Sequence, residues 1–177
     1  KTIKTKKKNI TPWLRFFLKM IEEVKPAQAT LVPDAPDAIT SNAGWDTIKH
    51  ADFLAKVIGR IKAAGVRVSI FIDPISERIE GAAKIGADRV ELYTEDYATG
   101  YESDRVKALE AYKSAGQLVK NLGMGLNAGH DLDLNNLAFM KQCMPDLDEV
   151  SIGHALVCDA LYLGLESTIG QYLNQLK

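Results

Sequence analysis

The feature that most constrains the fold is a regular alternation of short apolar runs with longer segments of helical periodicity. Strands are predicted at Ala29–Val32, Arg67–Ile72, Arg89–Thr94, Met124–Asn127 and Glu149–Ile152, and a helical segment follows each of them. The Asn-Gly and Asp-Gly pairs that mark two-residue hairpins are absent from the sequence. Alternation without hairpins predicts parallel strands joined by right-handed crossovers.

The helical segments are bounded by Pro and Gly residues. A first helix is expected over Trp13–Ile21, ending before Pro26, and a degenerate sixth strand is expected near Asn9. Glu95–Glu102 is predicted to be a loop, and Ser76 is predicted to cap a helix. The other helices are predicted at 45–64, Ser76–Ile85, Ser103–Leu122, Asn135–Cys143 and Ala160–Lys177.

Two architectures fit this order of elements: an open doubly wound sheet and part of a TIM (β/α)8 barrel. The sequence has no G-x-G-x-x-G or Walker-type motif, which disfavours the doubly wound sheet. Polar residues end or follow several strands, as a barrel requires: Asp73, Glu91, Thr94, Asn127, His130 and His154. We therefore predict an α/β fold, a partial barrel of about five to six βα units.

Composition and charge indicate one globular domain over residues 1–177, in which 24–177 form the barrel part and 1–8 form a basic, solvated tail. The formal net charge of −1 gives no general attraction to nucleic acid or membranes. No apolar run reaches the roughly 18 residues of a membrane span. The two cysteines, Cys143 and Cys158, are expected to be buried, and their scarcity favours the cytoplasm.

Two strands end in the same pair of residues, Gly129-His130 and Gly153-His154. A glycine lets backbone approach a ligand closely, and a helix N-terminus after the strand suits a phosphate. His130 is either a hydrogen-bonding histidine without chemistry or a general acid or base. Gly153 and His154 either form a tight turn or bind phosphate.

The remaining candidates are weighed in the same way. Glu91 lies in an otherwise apolar strand, where it is either a buried ion-pair partner of Arg89 or Arg105 or a functional carboxylate. Asp73 is expected to shape a turn, and His50 is expected to lie on a helix surface. The residues and their spacing name no particular reaction.

Five stretches resemble the pyridoxine 5′-phosphate synthase family. They lie in the same order as in the family, from about Val24 to the C-terminus, which makes the resemblance specific. The matching stretches are Thr30–Asp46, Val68–Pro74, Arg89–Ala98, Leu126–Leu132 and Val150–Leu156. The resemblance implies a TIM barrel and a transferase that condenses 3-amino-2-oxopropyl phosphate with 1-deoxy-D-xylulose 5-phosphate. It implies no metal and no organic cofactor.

The resemblance also implies roles for individual residues. His130 would be the proton donor, and Glu91 would be the carboxylate that stabilises the transition state. Thr40 would contact the deoxyxylulose phosphate, while Gly153 and His154 would bind the aminoketone phosphate. Asp131 stands where many members have glycine and would bind through its backbone. The family forms homo-oligomers, commonly octamers, and its substrates are small phosphorylated molecules.

The sequence departs from the family pattern near its start. The first two βα units of the family have no counterpart here, and Asn9-Ile10-Thr11 has Thr where the family has a catalytic Glu. We therefore expect a fragment of the synthase that is poorly active alone. The alternative is a non-catalytic remnant that binds phosphate ligands or assembles with other chains. An isomerase or aldolase is disfavoured because no strand end offers a Schiff-base lysine.

Overall fold

The computed structural model describes residues 11–34 and 40–177. The proposed basic tail and the segment near Asn9 lie outside these residues. Within them, five strands alternate with helices. In chain order the elements are α1 Thr11–Val24, β1 Gln28–Leu31, α2 Ala51–Ala63, β2 Arg67–Ile72, α3 Ser76–Lys84, β3 Arg89–Tyr93, α4 Glu95–Asn121, β4 Gly125–Gly129, α5 Leu137–Cys143, β5 Glu149–Ser151, α6 His154–Leu163 and α7 Leu165–Gln175.

The strands of the described residues form one parallel sheet in the sequential order β1-β2-β3-β4-β5. A doubly wound sheet reverses its strand order at a switch point, and this sheet does not. Sequential parallel strands, each followed by a helix, are the repeating unit of a (β/α)8 barrel. The prediction of a partial TIM barrel is therefore confirmed.

Side-chain contacts across the sheet show that it curls. Arg67 on β2 donates a 2.7 Å hydrogen bond to Glu149 on β5, although two strands lie between them. In a flat sheet those strands would be about 14 Å apart, from a spacing of about 4.8 Å. Hydroxyl groups of Thr30 on β1 and Ser151 on β5 both contact Glu91 on β3. The concave face of this half-barrel is thus lined by polar side chains.

The convex face carries the hydrophobic core. Along β2, Val68, Ile70 and Ile72 have no exposed surface and pack in the cluster formed with the surrounding helices. Ser69 and Phe71 alternate with them and face the concave side, because successive strand side chains point to opposite faces. The β-branched run that predicted this strand is therefore the run that buries it, and its predicted bounds are confirmed.

The start of α2 and the cap of α3 differ from the predictions. Helix α2 begins at Ala51 rather than at residue 45. The preceding residues are held in a turn, where the Trp45 N–H donates to the Phe71 carbonyl at 2.9 Å and the Thr47 hydroxyl donates to the Arg78 carbonyl at 2.6 Å. Ser76 is the first residue of α3 and makes no capping hydrogen bond, so its predicted capping role is wrong.

Two long segments are divided differently from the prediction. Glu95–Glu102 was expected to be a loop, but it is helical and opens α4. Helical geometry is interrupted at Asp104, where φ is −159° and ψ is 86°, and the Asp104 carboxylate accepts the Lys107 N–H at 3.0 Å as an N-cap does. The final helix is split at Gly164, whose φ of 79° glycine tolerates.

The outermost helices leave apolar surface exposed. None of the residues of α6 is buried, and Cys158 on that helix is exposed. The expectation that both cysteines are buried is therefore wrong for Cys158, while Cys143 is half-buried. Among the described helices, none has the length and apolar character needed to cross a membrane.

Candidate active site

The carboxyl ends of the five strands surround one cleft. Its volume is about 520 Å³. The strand ends and the loops after them line it, which is the place where barrel enzymes carry their active sites. Its lining includes Val32, Phe71, Glu91, His130, Ser151 and His154.

His130 occupies the centre of this edge, directly after β4. Its Nε2 lies 2.7 Å from the Thr40 hydroxyl, and its Nδ1 lies 2.9 Å from the Asp131 carboxylate. The ring makes an edge contact with Tyr93, with centroids 5.4 Å apart, and a tilted contact with Phe71 at 6.2 Å. The imidazole is therefore held on two sides by hydrogen bonds and packed against aromatic rings.

The backbone of His130 adopts an unusual conformation, with φ at 92°. Non-glycine residues rarely have positive φ, and such conformations concentrate at functional sites. The His130 N–H donates to the Ser151 carbonyl at 3.1 Å, which joins the ends of β4 and β5. This conformation turns the chain out of the strand while the imidazole stays at the cleft.

Thr94 fixes the segment that carries His130. Its fully buried hydroxyl donates to the Gly129 carbonyl at 2.6 Å and accepts the Asp131 N–H at 3.0 Å. The Asp131 carbonyl in turn accepts from the Asn136 amide at 3.2 Å. The backbone N–H through which Asp131 was expected to bind substrate is therefore engaged by Thr94, and its carboxylate contacts His130.

Glu91 lies deeper in the cleft and is only 6% exposed. Burial raises the pKa of its carboxyl above the ordinary value of 4.5, and the charge of Glu149 raises it further. Hydrogen bonds from Ser151 and Thr30 oppose this rise, as does His130. A carboxyl with a raised pKa exchanges protons closer to neutral pH.

The alternative of a structural ion pair for Glu91 does not hold. Arg89 donates to Asn127 at 3.0 Å and pairs with Asp148 and Glu149. The guanidinium of Arg105 lies 4.8 Å from the centroid of the Phe139 ring.

Gly129 makes room for the Glu91 carboxylate. A Cβ atom at this position would lie 2.7 Å from Glu91 Oε1 and 2.7 Å from the Ser151 carbonyl oxygen. Both distances are well below van der Waals contact. The glycine before His130 is thus required by the carboxylate beside it, a reason that the sequence alone did not supply.

Gly153 and His154 lie on the other side of the cleft, at the start of the ten-residue helix α6. Both are exposed, and Gly153 has a φ of −107° that any residue adopts. Open space surrounds Gly153, since a Cβ there would have no described atom within 4 Å. The space around Gly153 therefore does not by itself require a glycine.

The other polar candidates have structural contacts. Asp73 accepts the Gly44 N–H at 3.3 Å and pairs with Arg78, as expected for a turn residue. His50 lies outside the cleft and makes an edge contact with the Trp45 ring at 5.5 Å.

Asn127 was expected among the strand-end residues, but it lies in the middle of β4. It is buried on the concave face, between Arg89 and Glu149.

Sequence reasoning missed the residues that support the site from the concave face. Thr30 and Ser151 contact Glu91, while the Tyr93 hydroxyl donates to Glu95 at 2.8 Å and lies 3.3 Å from the Ser41 carbonyl oxygen. Their signal was the period-two pattern, which places alternate residues of each strand on the concave face. Within residues 11–34 and 40–177, no group of three or more His, Cys, Asp or Glu could hold a metal ion.

Comparison with known proteins identifies the family. Residues 10–177 match the model of the family described as pyridoxal phosphate biosynthesis protein PdxJ. The chain belongs to the PdxJ family. The site geometry and the family thus agree on a barrel enzyme.

Relatives give the enzyme class. Pyridoxine 5′-phosphate synthase of Cytophaga hutchinsonii is 60% identical over 161 residues, covering 91% of this chain and 68% of the relative. The enzyme of the same name from Porphyromonas gingivalis is 54% identical over 160 residues, covering 90% and 67%. This chain spans about two thirds of the length of these relatives. It is an enzyme of the transferase kind in pyridoxine biosynthesis.

Solved structures of distant sequence share the fold. The HMG-CoA lyase of Brucella melitensis superposes with a TM-score of 0.56 at 16% identity, covering 97% of this chain and 62% of that one. The Amycolatopsis orientalis BexX/CysO complex gives a TM-score of 0.59 at 14% identity, covering 92% and 61%. At such identities the similarity concerns the fold alone.

Proposed function

We propose that the cleft condenses 3-amino-2-oxopropyl phosphate with 1-deoxy-D-xylulose 5-phosphate, forming pyridoxine 5′-phosphate, phosphate and water. The observation that carries the proposal is the placement of His130 and Glu91 in one cleft at the strand ends. The names of the relatives support the same reaction.

The two groups suit the chemistry of joining an amine to a ketone. Water leaves as the carbon–nitrogen bond becomes double, and this requires a proton on the departing oxygen. His130 supplies that proton from Nε2, the nitrogen at the Thr40 hydroxyl. When ionised, Glu91 faces the positive charge that develops on nitrogen, in a site with little water to screen it.

Phosphate groups are held at the rim of the cleft. Backbone N–H groups at the N-terminus of α6 and the His154 imidazole receive the aminoketone phosphate, because a helix N-terminus attracts anions. Gly153 lets the ligand approach the backbone. Thr40 contacts the 1-deoxy-D-xylulose 5-phosphate. Small phosphorylated molecules are the only ligands that this proposal requires, without nucleic acid, metal or organic cofactor.

The proposal extends to the compartment and the oligomeric state of the protein. We place the enzyme in the cytoplasm as a homo-oligomer, with an octamer as the expected state. The exposed apolar side chains of α6 and α7 provide surface for contacts between chains, among them Leu161 at 80% and Tyr162 at 89% exposure. Light scattering of the purified protein measures the assembly directly.

Product formation tests the reaction. Both substrates are supplied to the purified protein and pyridoxine 5′-phosphate is followed, with His130→Ala as the site variant and His50→Ala as the matched histidine control. We expect the product to form in the unmodified protein and the His50 variant, and turnover to fall at least about 100-fold in the His130 variant. Equal turnover in all three would refute the role of His130.

The second candidate is a remnant that binds phosphate ligands without turnover. The resemblance implies a catalytic glutamate at the position of Thr11, and its absence favours the remnant. A folded protein that binds pyridoxine 5′-phosphate through His154 but forms none would support this candidate. Measurable turnover that depends on His130 would exclude it.

A further inference from the structure

The carboxylate of Asp131 makes a contact that the proposed reaction does not explain. Its Oδ2 lies 2.9 Å from His130 Nδ1, and the side chains of Asp131 and His130 are half-buried, at 30% and 20% exposure. On the opposite side of the ring, Nε2 lies 2.7 Å from the Thr40 hydroxyl. The three side chains form a continuous line of hydrogen bonds, which we call the Thr40–His130–Asp131 relay.

The donors and acceptors of the relay fix where the imidazole proton lies. An ionised carboxylate can only accept, so Nδ1 of His130 must carry the hydrogen that lies between it and Asp131. In the neutral ring Nε2 is then the acceptor, and it accepts from the Thr40 hydroxyl. In the protonated ring Nε2 is the donor that faces the cleft. The same nitrogen therefore gives and recovers the proton.

The protein holds the Asp131 carboxylate in place through its backbone. Thr94 accepts the Asp131 N–H and Asn136 donates to the Asp131 carbonyl, so both backbone groups of this residue are fixed. The positive φ of His130 turns the chain so that the side chains of residues 130 and 131 meet. A glycine at position 131, as the family resemblance implies for many members, could not supply this carboxylate.

We propose that Asp131 is a positioning residue that holds His130 in the Nδ1–H tautomer and aims Nε2 at the cleft. It acts through His130 and needs no contact with substrate. The proposal rests on the proposed role of His130 in proton transfer. The tautomer of His130 can be measured without any turnover.

The tautomer is read from the imidazole nitrogens by long-range proton–nitrogen NMR, at a pH where the ring is neutral. The chain has three histidines, so the spectrum of His130→Ala assigns the His130 signals. The unmodified protein is compared with Asp131→Asn and Asp131→Ala. Asp133→Asn is the matched control, because Asp133 accepts the backbone N–H groups of Asn135 and Asn136 and does not contact His130.

We expect the Nδ1–H form to dominate in the unmodified protein and in the Asp133 variant. The Nδ1–H form should lose its dominance in Asp131→Ala. It should lose it in Asp131→Asn too if the amide turns its NH₂ group toward Nδ1, as happens when the aspartate of a catalytic triad is replaced. An Nδ1–H form that still dominates in Asp131→Ala would overturn the proposal. Retention in the Asn variant alone would support it, since the amide oxygen also accepts.

Kinetics separate this proposal from the proposed function. We expect Asp131→Ala to lower kcat at least about 10-fold with KM nearly unchanged, the lower end of the effect of groups that orient metal-bound imidazoles. A changed tautomer with unchanged kcat would overturn the positioning role. If His130→Ala turns over as fast as the unmodified protein while the tautomer is as expected, the proposed function is refuted and the tautomer assignment stands.

Discussion

Gly129→Ala tests the closest contact in the site. The added methyl group would lie 2.7 Å from Glu91 Oε1, 2.7 Å from the Ser151 carbonyl oxygen and 2.9 Å from Ser151 Cβ. Contacts of carbon with these atoms are normally above about 3.5 Å. The Glu91 side chain can rotate away, but the Ser151 carbonyl belongs to β5, where Gly129 and Ser151 are paired. The strands themselves must therefore shift.

Overpacking of this kind costs about 1–3 kcal/mol of unfolding free energy. For a chain of 177 residues this corresponds to a fall in Tm of about 2–12 °C. We expect turnover to fall as well, because the methyl group displaces the Glu91 carboxylate, which we propose faces the positive charge that develops on nitrogen. The loss of turnover should exceed the loss of folded protein at the assay temperature.

Urea unfolding followed by circular dichroism measures the free energy. Gly59→Ala is the matched control, since Gly59 lies inside α2 and its added Cβ would meet no described atom within 4 Å. That variant should be more stable by about 0.5–1 kcal/mol, the difference between glycine and alanine in a helix. If Gly129→Ala is as stable as Gly59→Ala, the close packing of β4 against Glu91 and β5 is refuted.

Three further predictions concern stability. Glu91→Gln should stabilise the protein at neutral pH, because burial raises the pKa of Glu91 in the folded chain above 4.5. Between the unfolded and the folded pKa, the folded chain keeps a proton that the unfolded chain has lost, so stability falls as the pH rises through this range. The gain should vanish below pH 4.5, and urea unfolding at both pH values measures it. Leu54→Ala should cost about 2–5 kcal/mol, because Leu54 is fully buried, whereas Val106→Ala at a 63% exposed site should cost less than about 1 kcal/mol by the same assay. Asp104→Ala should cost about 1 kcal/mol in thermal unfolding through loss of the cap inside α4, and Asp104→Asn should restore most of it.

Each of these predictions has an outcome that contradicts it. A Glu91→Gln variant that is less stable at neutral pH would show that the carboxylate is stabilised by its hydroxyl partners more than burial opposes it. A Leu54→Ala cost equal to that of Val106→Ala would place Leu54 outside the core. Equal stability of the Ala and Asn variants at Asp104 would show that its hydrogen bond to Lys107 adds nothing.

The sheet could be predicted from the sequence because its strands are short apolar runs with clear ends. Arg67–Ile72 was found with its exact bounds, and Gly86 and Gly123 correctly marked the ends of the helices before them. The helical segment Glu95–Glu102 was missed because Gly100 is a poor helix former and typical of a loop. The break in α4 comes from the conformation of Asp104, which no local pattern distinguished from an ordinary helix start.

The site was predicted only in part, because its contacts join distant parts of the chain. Thr40 and His130 are separated by 90 residues, and only the folded structure shows their hydrogen bond. The resemblance named both residues but gave no reason for Gly129 and assigned Asp131 a backbone role. The carboxylate of Asp131 and the buried hydroxyl of Thr94 define that segment instead.

The central claim is that one cleft binds the reaction's phosphorylated molecules between His130 and His154. The most direct test is to titrate the protein with pyridoxine 5′-phosphate and to follow the imidazole signals by NMR. Both residues line the cleft, and His50 lies outside it as an internal control. The account predicts that the His130 and His154 signals shift together with a single Kd while the His50 signals stay in place. Binding that leaves both cleft histidines unchanged, or that shifts His50 alone, would contradict it.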